Sequence, residues 1–156
     1  MLRLAGSRRL GLAERIVDRF SVDSQKAFDR SHKVLTRLHK SFRLGIISNF
    51  YGNLDSVFKS INMDPFFEVL ADSHRLGVAK PDPRIFQYAL REMELKPEQC
   101  LMVGDSLSID MAGARSVGMP HAWLFGDRFK QGKPADSCCK GDCVLRSLEE
   151  LAEILS

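Results

Sequence analysis

The residues with the strongest claim to chemistry are Asp105 and Asp110, in the run Cys100-Leu101-Met102-Val103-Gly104-Asp105-Ser106-Leu107-Ser108-Ile109-Asp110. Carboxylates are hard oxygen donors. Two of them five positions apart, one in a loop and one in a first helical turn, can converge on a hard divalent cation. Their surroundings give that reading a physical basis. Cys100 to Val103 is an apolar run too short for a helix and closed by glycine, the pattern of a buried strand. Gly104 permits a sharp turn, Asp105 falls at the carboxyl end of the strand, and Ile109 to Val117 reads as the helix that follows. In open parallel sheets, ligands bind in the crevice outside the carboxyl ends of the strands. The plainer use of the same two acids is a turn and a helix start, where the helix dipole favours negative charge.

Other chemistry-bearing residues are less suggestive. Four cysteines include the cluster Cys138-Cys139-Lys140-Gly141-Asp142-Cys143. A structural zinc site needs four ligands at finger-like spacing, but the fourth cysteine, Cys100, opens the expected strand and no histidine lies near the cluster. Reduced thiols in a cytoplasmic protein are the expectation. His32, His39, His74 and His121 show no ligand spacing and are assigned to packing or the surface. Trp123 and the ten phenylalanines are assigned to the core. No Gly-x-Gly-x-x-Gly follows any strand, so a dinucleotide fold is excluded.

Positioning the acids requires a sheet. Residues 8–40 read as two helices, with Asp23 or Ser24 capping the second through Phe28, Val34, Leu35 and Leu38. Arg43 to Ile47 is a strand ending at Ser48-Asn49, and Leu54, Val57, Phe58 and Ile61 mark a short helix. Phe66 to Leu70 reads as another strand. In Lys80-Pro81-Asp82-Pro83, Asp82 suits an N-cap and Pro83 the first helical position, where no N–H is needed. Ile85, Phe86, Ala89, Leu90 and Met93 then form one apolar helical face. Pro120 to Phe125 is a strand, residues 130–142 a polar loop, and Val144-Leu145 a last short strand. Ser147-Leu148-Glu149-Glu150 is a capping box for a closing helix that turns Leu148, Leu151, Ala152 and Leu155 inward. Strands alternating with helices imply an α/β fold with a parallel sheet covered on both faces.

A length of 156 residues suits one domain. Hydrophobic content of 44% and charged content of 28% are those of a globular chain with a real core. The net charge of +3 is small and its basic residues are scattered, which argues against nucleic-acid or membrane partners. No apolar run approaches the ~20 residues of a membrane span. The arginine-rich, acid-free start through Leu10 has the composition of a transit peptide, but it also continues into a helical pattern through Ile16, Val17 and Phe20, and that reading is preferred.

Three segments, Ile46-Ile47-Ser48-Asn49, Ala79-Lys80-Pro81-Asp82-Pro83, and Val103-Gly104-Asp105-Ser106 with Asp110, occur in this order and each beside the appropriate strand or helix. Together they resemble motifs II, III and IV of the haloacid dehalogenase superfamily, in the subfamily with a helical cap inserted early in the chain. The resemblance runs from about His32 to about Gly126. It implies a Rossmann-like three-layer sandwich, with residues 1–40 a remnant of the cap and 41–156 the α/β core. It also implies a Mg²⁺-dependent phosphatase acting on a small phosphorylated metabolite by transfer to an aspartate and then to water. In such a site the Ser48 hydroxyl and the Asn49 backbone N–H would bind phosphoryl oxygens, and Lys80 would neutralise their charge. Asp105 would ligate the metal, and Asp110 would stand behind it or reach it through water.

One motif of that family has no counterpart. Its first, an apolar strand ending in Asp-x-Asp-Gly, carries the nucleophile and the general acid/base. Here the earliest aspartate is Asp18, in Arg15-Ile16-Val17-Asp18-Arg19-Phe20, which lacks both the second aspartate and the glycine, and Asp23 fits no better. In the family that strand lies between the strands bearing motifs II and IV. Its absence predicts unpaired edges on both neighbours, an amino-terminally incomplete hydrolase without turnover, and a possible partner in a complementing amino-terminal segment. The alternatives are a non-catalytic binding or regulatory module and a metal-independent dehalogenase.

Overall fold

The computed structural model describes residues 6–126 and 143–155. The helix α1 (Gly6–Leu38) runs unbroken through the expected capping point. Two helices were expected there; one forms. No glycine or proline lies between Gly11 and Gly45 to stop it. Asp23, one of the two residues expected to cap a second helix, is instead used along the first, as are other polar residues. Asp23 pairs with Arg19 one turn back, Gln25 donates to Asp29 at 3.0 Å, and the Thr36 hydroxyl donates to the His32 carbonyl. Such i,i+4 contacts support a helix on an exposed face.

Among the described residues five strands follow, interleaved with helices: β1 (Gly45–Ser48), α2 (Leu54–Ser60), β2 (Val69–Asp72), α3 (Ser73–Leu76), α4 (Pro83–Glu92), β3 (Met102–Gly104), α5 (Ala112–Ser116), β4 (His121–Leu124), β5 (Cys143–Leu145) and α6 (Leu148–Ile154). The expected strands are all present with shifted ends; β2 starts later than its apolar run because Asp64–Phe66 forms a 3₁₀ turn. The helix expected over 109–117 is α5 preceded by a π turn, Leu107–Met111. The expected loop over 130–142, with Cys138 and Cys139, lies outside the described residues. Cys100 and Cys143 are free thiols, and burial pushes the Cys100 thiol up.

Every strand pairing is parallel, as the βα alternation requires. The strands form two sheets, β2-β1 and β3-β4-β5. Among the described residues, nothing pairs with the second edge of β1 or with that of β3.

Two cores sandwich these strands. On one face, α4 and α5 supply Ile85, Phe86, Ala89, Leu90 and Ala114, packed on Val69 and Ala71 with Ile47 and Met102 against them. On the other, Val34 and Leu38 of α1 and Leu151 and Ala152 of α6 pack on Ala122 and Leu145, with Leu44 and Val103 alongside. Helices thus cover both faces, the three-layer arrangement the sequence implies. Strand residues of both sheets, Ile47, Val69 and Ala71 with Met102, share the first core, and Leu44 just before β1 reaches the second, so side-chain packing joins the two sheets where backbone pairing does not. No helix among the described residues is long and apolar enough to cross a membrane.

Candidate active site

The carboxyl ends of β1 and β3 open on the same side, and the three motif segments meet there. Asn49 directly follows β1. Its side-chain amide donates to the Lys80 carbonyl at 3.1 Å, and its side-chain oxygen accepts the Lys80 N–H at 2.8 Å. One amide side chain therefore satisfies both backbone groups of a residue 31 positions away, as a β-bridge partner would. The Lys80-Pro81 peptide is cis, and Asp82 caps α4 by accepting the Arg84 N–H at 2.9 Å. The Arg84 guanidinium forks onto the same carboxylate, and the charge-assisted bonds hold Asp82 down at about 2.

From this pinned backbone the Lys80 side chain crosses to the second sheet. Its ammonium donates to Asp110 Oδ1 at 2.6 Å, with the two side chains 13% and 5% exposed. The other oxygen, Oδ2, accepts the Ser106 N–H at 3.0 Å. Each half of the Asp110 carboxylate is thus engaged, and the buried charge is paired and hydrogen-bonded as burial demands. Gly104 makes the arrangement possible: a Cβ there would lie 2.5 Å from Asp110 Cβ. Trp123, which sequence reasoning assigned to the core alone, is buried as expected, and its indole N–H also donates to the Asp105 carbonyl at 3.0 Å. That bond ties the Asp105 turn to β4 and leaves the Asp105 side chain exposed.

The geometry brings together Asn49, Lys80 and Asp110 through direct bonds, with Ser48 and Asp105 at the adjoining strand ends. An ammonium has three donors, and Lys80 spends one on Asp110. Fit to a divalent cation follows from the donor set. Mg²⁺ is commonly held by one or two carboxylates, with water and phosphate oxygens completing its octahedron. Exposed Asp105 suits a direct ligand; Asp110, with both oxygens taken, suits a position behind it. Among the described residues no group of three or more His, Cys, Asp or Glu gathers as a ready cage. His32 and His39 pack edge-on against Phe66, and His74 lies beside the Gly52 turn.

Asp72 and Ser73, which end β2 and open α3 beside this site, belong to none of the sequence motifs. Asp72 is 1% exposed and sits in register with Ser48. Extending the apolar run Phe66–Leu70 by two residues would have placed an acid at a strand's carboxyl end, the signal that singled out Asp105.

Comparison with known proteins bears on the same residues. A family model described as haloacid dehalogenase-like hydrolase matches residues 5–118. The chain is 38% identical over 133 residues to glyceraldehyde 3-phosphate phosphatase of Pyrococcus furiosus, covering 80% of this chain and 52% of the relative. Among solved structures, a 2-haloacid dehalogenase from Pseudomonas syringae matches with 31% identity and a TM-score of 0.65, over 79% of this chain and 50% of the other. The HAD-hydrolase YfnB from Bacillus subtilis, bound to magnesium, matches with 26% identity and a TM-score of 0.70, over 82% and 55%. The chain spans about half the length of the curated relatives it matches.

Proposed function

Because this chain belongs to the haloacid dehalogenase-like hydrolase family, we propose that it carries the phosphate-binding and metal-binding part of a phosphatase site. The observation that carries this reading is the linkage of Asn49 to Lys80 and of Lys80 to Asp110, which gathers three distant segments at the strand ends. Lys80 offers a buried-side positive charge to phosphoryl oxygens, while Asp110 fixes where that charge sits. Ser48 and the Asn49 backbone N–H supply further donors. Asp105 would hold Mg²⁺, which would supply positive charge to neutralise phosphoryl oxygens. The similarity to a glyceraldehyde 3-phosphate phosphatase and to a magnesium-bound hydrolase supports a small phosphorylated metabolite and that metal. Free thiols at Cys100 and Cys143 suit a cytoplasmic setting.

The nucleophile is a separate matter. Among the described strands, only β2 ends in an aspartate, and Asp72 is committed to backbone N–H groups. We propose that the nucleophilic carboxylate is supplied by a strand lying between β1 and β3, whose free edges would pair with it, and that this chain by itself does not turn over. The test is hydrolysis of p-nitrophenyl phosphate with and without Mg²⁺, beside direct titration of inorganic phosphate. The expected result is phosphate binding that Lys80→Ala removes, with no turnover. Mg²⁺-dependent turnover abolished by Asp105→Ala would show that the chain holds its own nucleophile. Lack of phosphate binding would overturn the phosphoryl reading. The likeness to a 2-haloacid dehalogenase gives a second reading, displacement at a haloacid carbon without metal; halide release unaffected by a chelator would favour it.

A further inference from the structure

Asp72 and Ser73 are outside every motif named above, yet they hold the loop that leaves β1 after Ser48 and begins with Asn49. Asp72 Oδ1 accepts the His74 N–H at 3.0 Å and the Gly52 N–H at 3.2 Å. Its Oδ2 accepts the Gly52 N–H at 3.0 Å and the Leu54 N–H at 3.3 Å. Ser73 clasps Phe50 from both sides: its hydroxyl oxygen accepts the Phe50 N–H at 3.0 Å, and the hydroxyl lies 3.2 Å from the Phe50 carbonyl. Gly52 turns with φ of +92°, and a Cβ there would lie 2.9 Å from His74 Nδ1. The loop is thus bound at Phe50, Gly52 and Leu54 by one dipeptide, while Asn49 is bound on its other side to Lys80. A buried carboxylate accepting three backbone N–H groups is a rigid anchor.

We propose that Asp72, assisted by Ser73, is the positioning residue of the candidate phosphoryl site. It acts through the loop, fixing the Ser48 hydroxyl and the Asn49 N–H beside Lys80 before an anion arrives. Donors fixed in advance need no ordering when the ligand binds. The proposal rests on the phosphoryl reading above and adds to it the residues that organise the site.

The experiment titrates inorganic phosphate with Mg²⁺ into the ¹⁵N-labelled full chain and follows amide shifts at Asn49, Phe50 and Lys80. In the unaltered chain these amides shift and give a Kd. Asp72→Asn, which leaves one acceptor oxygen, is expected to raise that Kd about tenfold, because small misplacements of binding groups are costly. Ser73→Ala raises it less and in the same direction. Leu151→Ala, in the remote core on α6, lowers the melting temperature and leaves the Kd unchanged, separating positioning from general destabilisation. An unchanged Kd in Asp72→Asn overturns the positioning role and leaves the phosphoryl reading standing. Absence of any shift in the unaltered chain overturns that reading and the positioning role with it. Should Asp72→Asn not fold, Ser73→Ala decides by the same criterion.

Discussion

At the scale of single residues, the site is built from charges that cannot be removed one at a time. Lys80 and Asp110 are both close to buried, at 13% and 5% exposure. Lys80→Ala leaves a buried carboxylate without its cation, and breaking such a pair costs about 3 kcal/mol or more. Urea unfolding should show that loss, and Lys80→Ala with Asp110→Ala together should cost less than the sum of the two. Gly104→Ala acts on the same pair through space, since the new Cβ meets the Asp110 side chain. A cost of about 1–3 kcal/mol is expected from overpacking, with Lys80 displaced, readable as loss of phosphate binding. Asp82 gives a pH signature. Its carboxyl is held at about 2 by the Arg84 side chain and backbone N–H, below the ordinary value. A carboxyl depressed on folding contributes stability that is complete above the unfolded value near 4 and fades as pH falls through about 2. The urea midpoint of the parent chain should therefore fall more than that of Asp82→Asn between pH 4 and pH 2. Because the pair is exposed, the difference is small.

At the scale of elements, helix α1 has two parts doing different work. Its last turns bury Val34 and Leu38 in the core with α6, whereas Val22 and Phe28 upstream are exposed at 52% and 36%. Leu38→Ala should destabilise by about 2–5 kcal/mol through the cavity it leaves. Val22→Ala should change stability by no more than about 0.5 kcal/mol. Thermal denaturation of the two variants distinguishes the buried turns of the helix from the exposed positions upstream. The caps of α4 and α6 were legible from sequence because their bonds are local. Asp82 binds the N–H two residues on, and Ser147 binds that of Glu150. The π turn before α5 was not legible, since the burial of Asp110 against Gly104 depends on β3 being beside it.

At the scale of the molecule, the sheet is discontinuous among the described residues, and the two cores bridge the break. Strand edges with free N–H and C=O groups recruit other strands. The isolated chain is expected to self-associate with rising concentration, measured by light scattering. Supplying in the same chain an upstream apolar strand ending in aspartate should yield a monomer with a higher melting temperature. A chain monomeric at all accessible concentrations would speak against open edges at β1 and β3. The alternation of strands and helices, and the order of Ser48-Asn49, Lys80-Pro81 and Gly104-Asp105, were enough to place the chain in its family and name the candidate residues. Those signals are local: apolar runs, turn glycines and caps are set within a few positions of the chain. Tertiary structure alone decided that Asn49 holds the backbone of Lys80, that Asp110 is committed to Lys80 and Ser106, and that Asp72 organises the neighbouring loop. The Asp110 and Asp72 contacts join buried groups that become partners where burial removes water as the alternative, and the Asn49 contact joins residues 31 positions apart that only the fold brings together. Sequence spacing carries no trace of that competition.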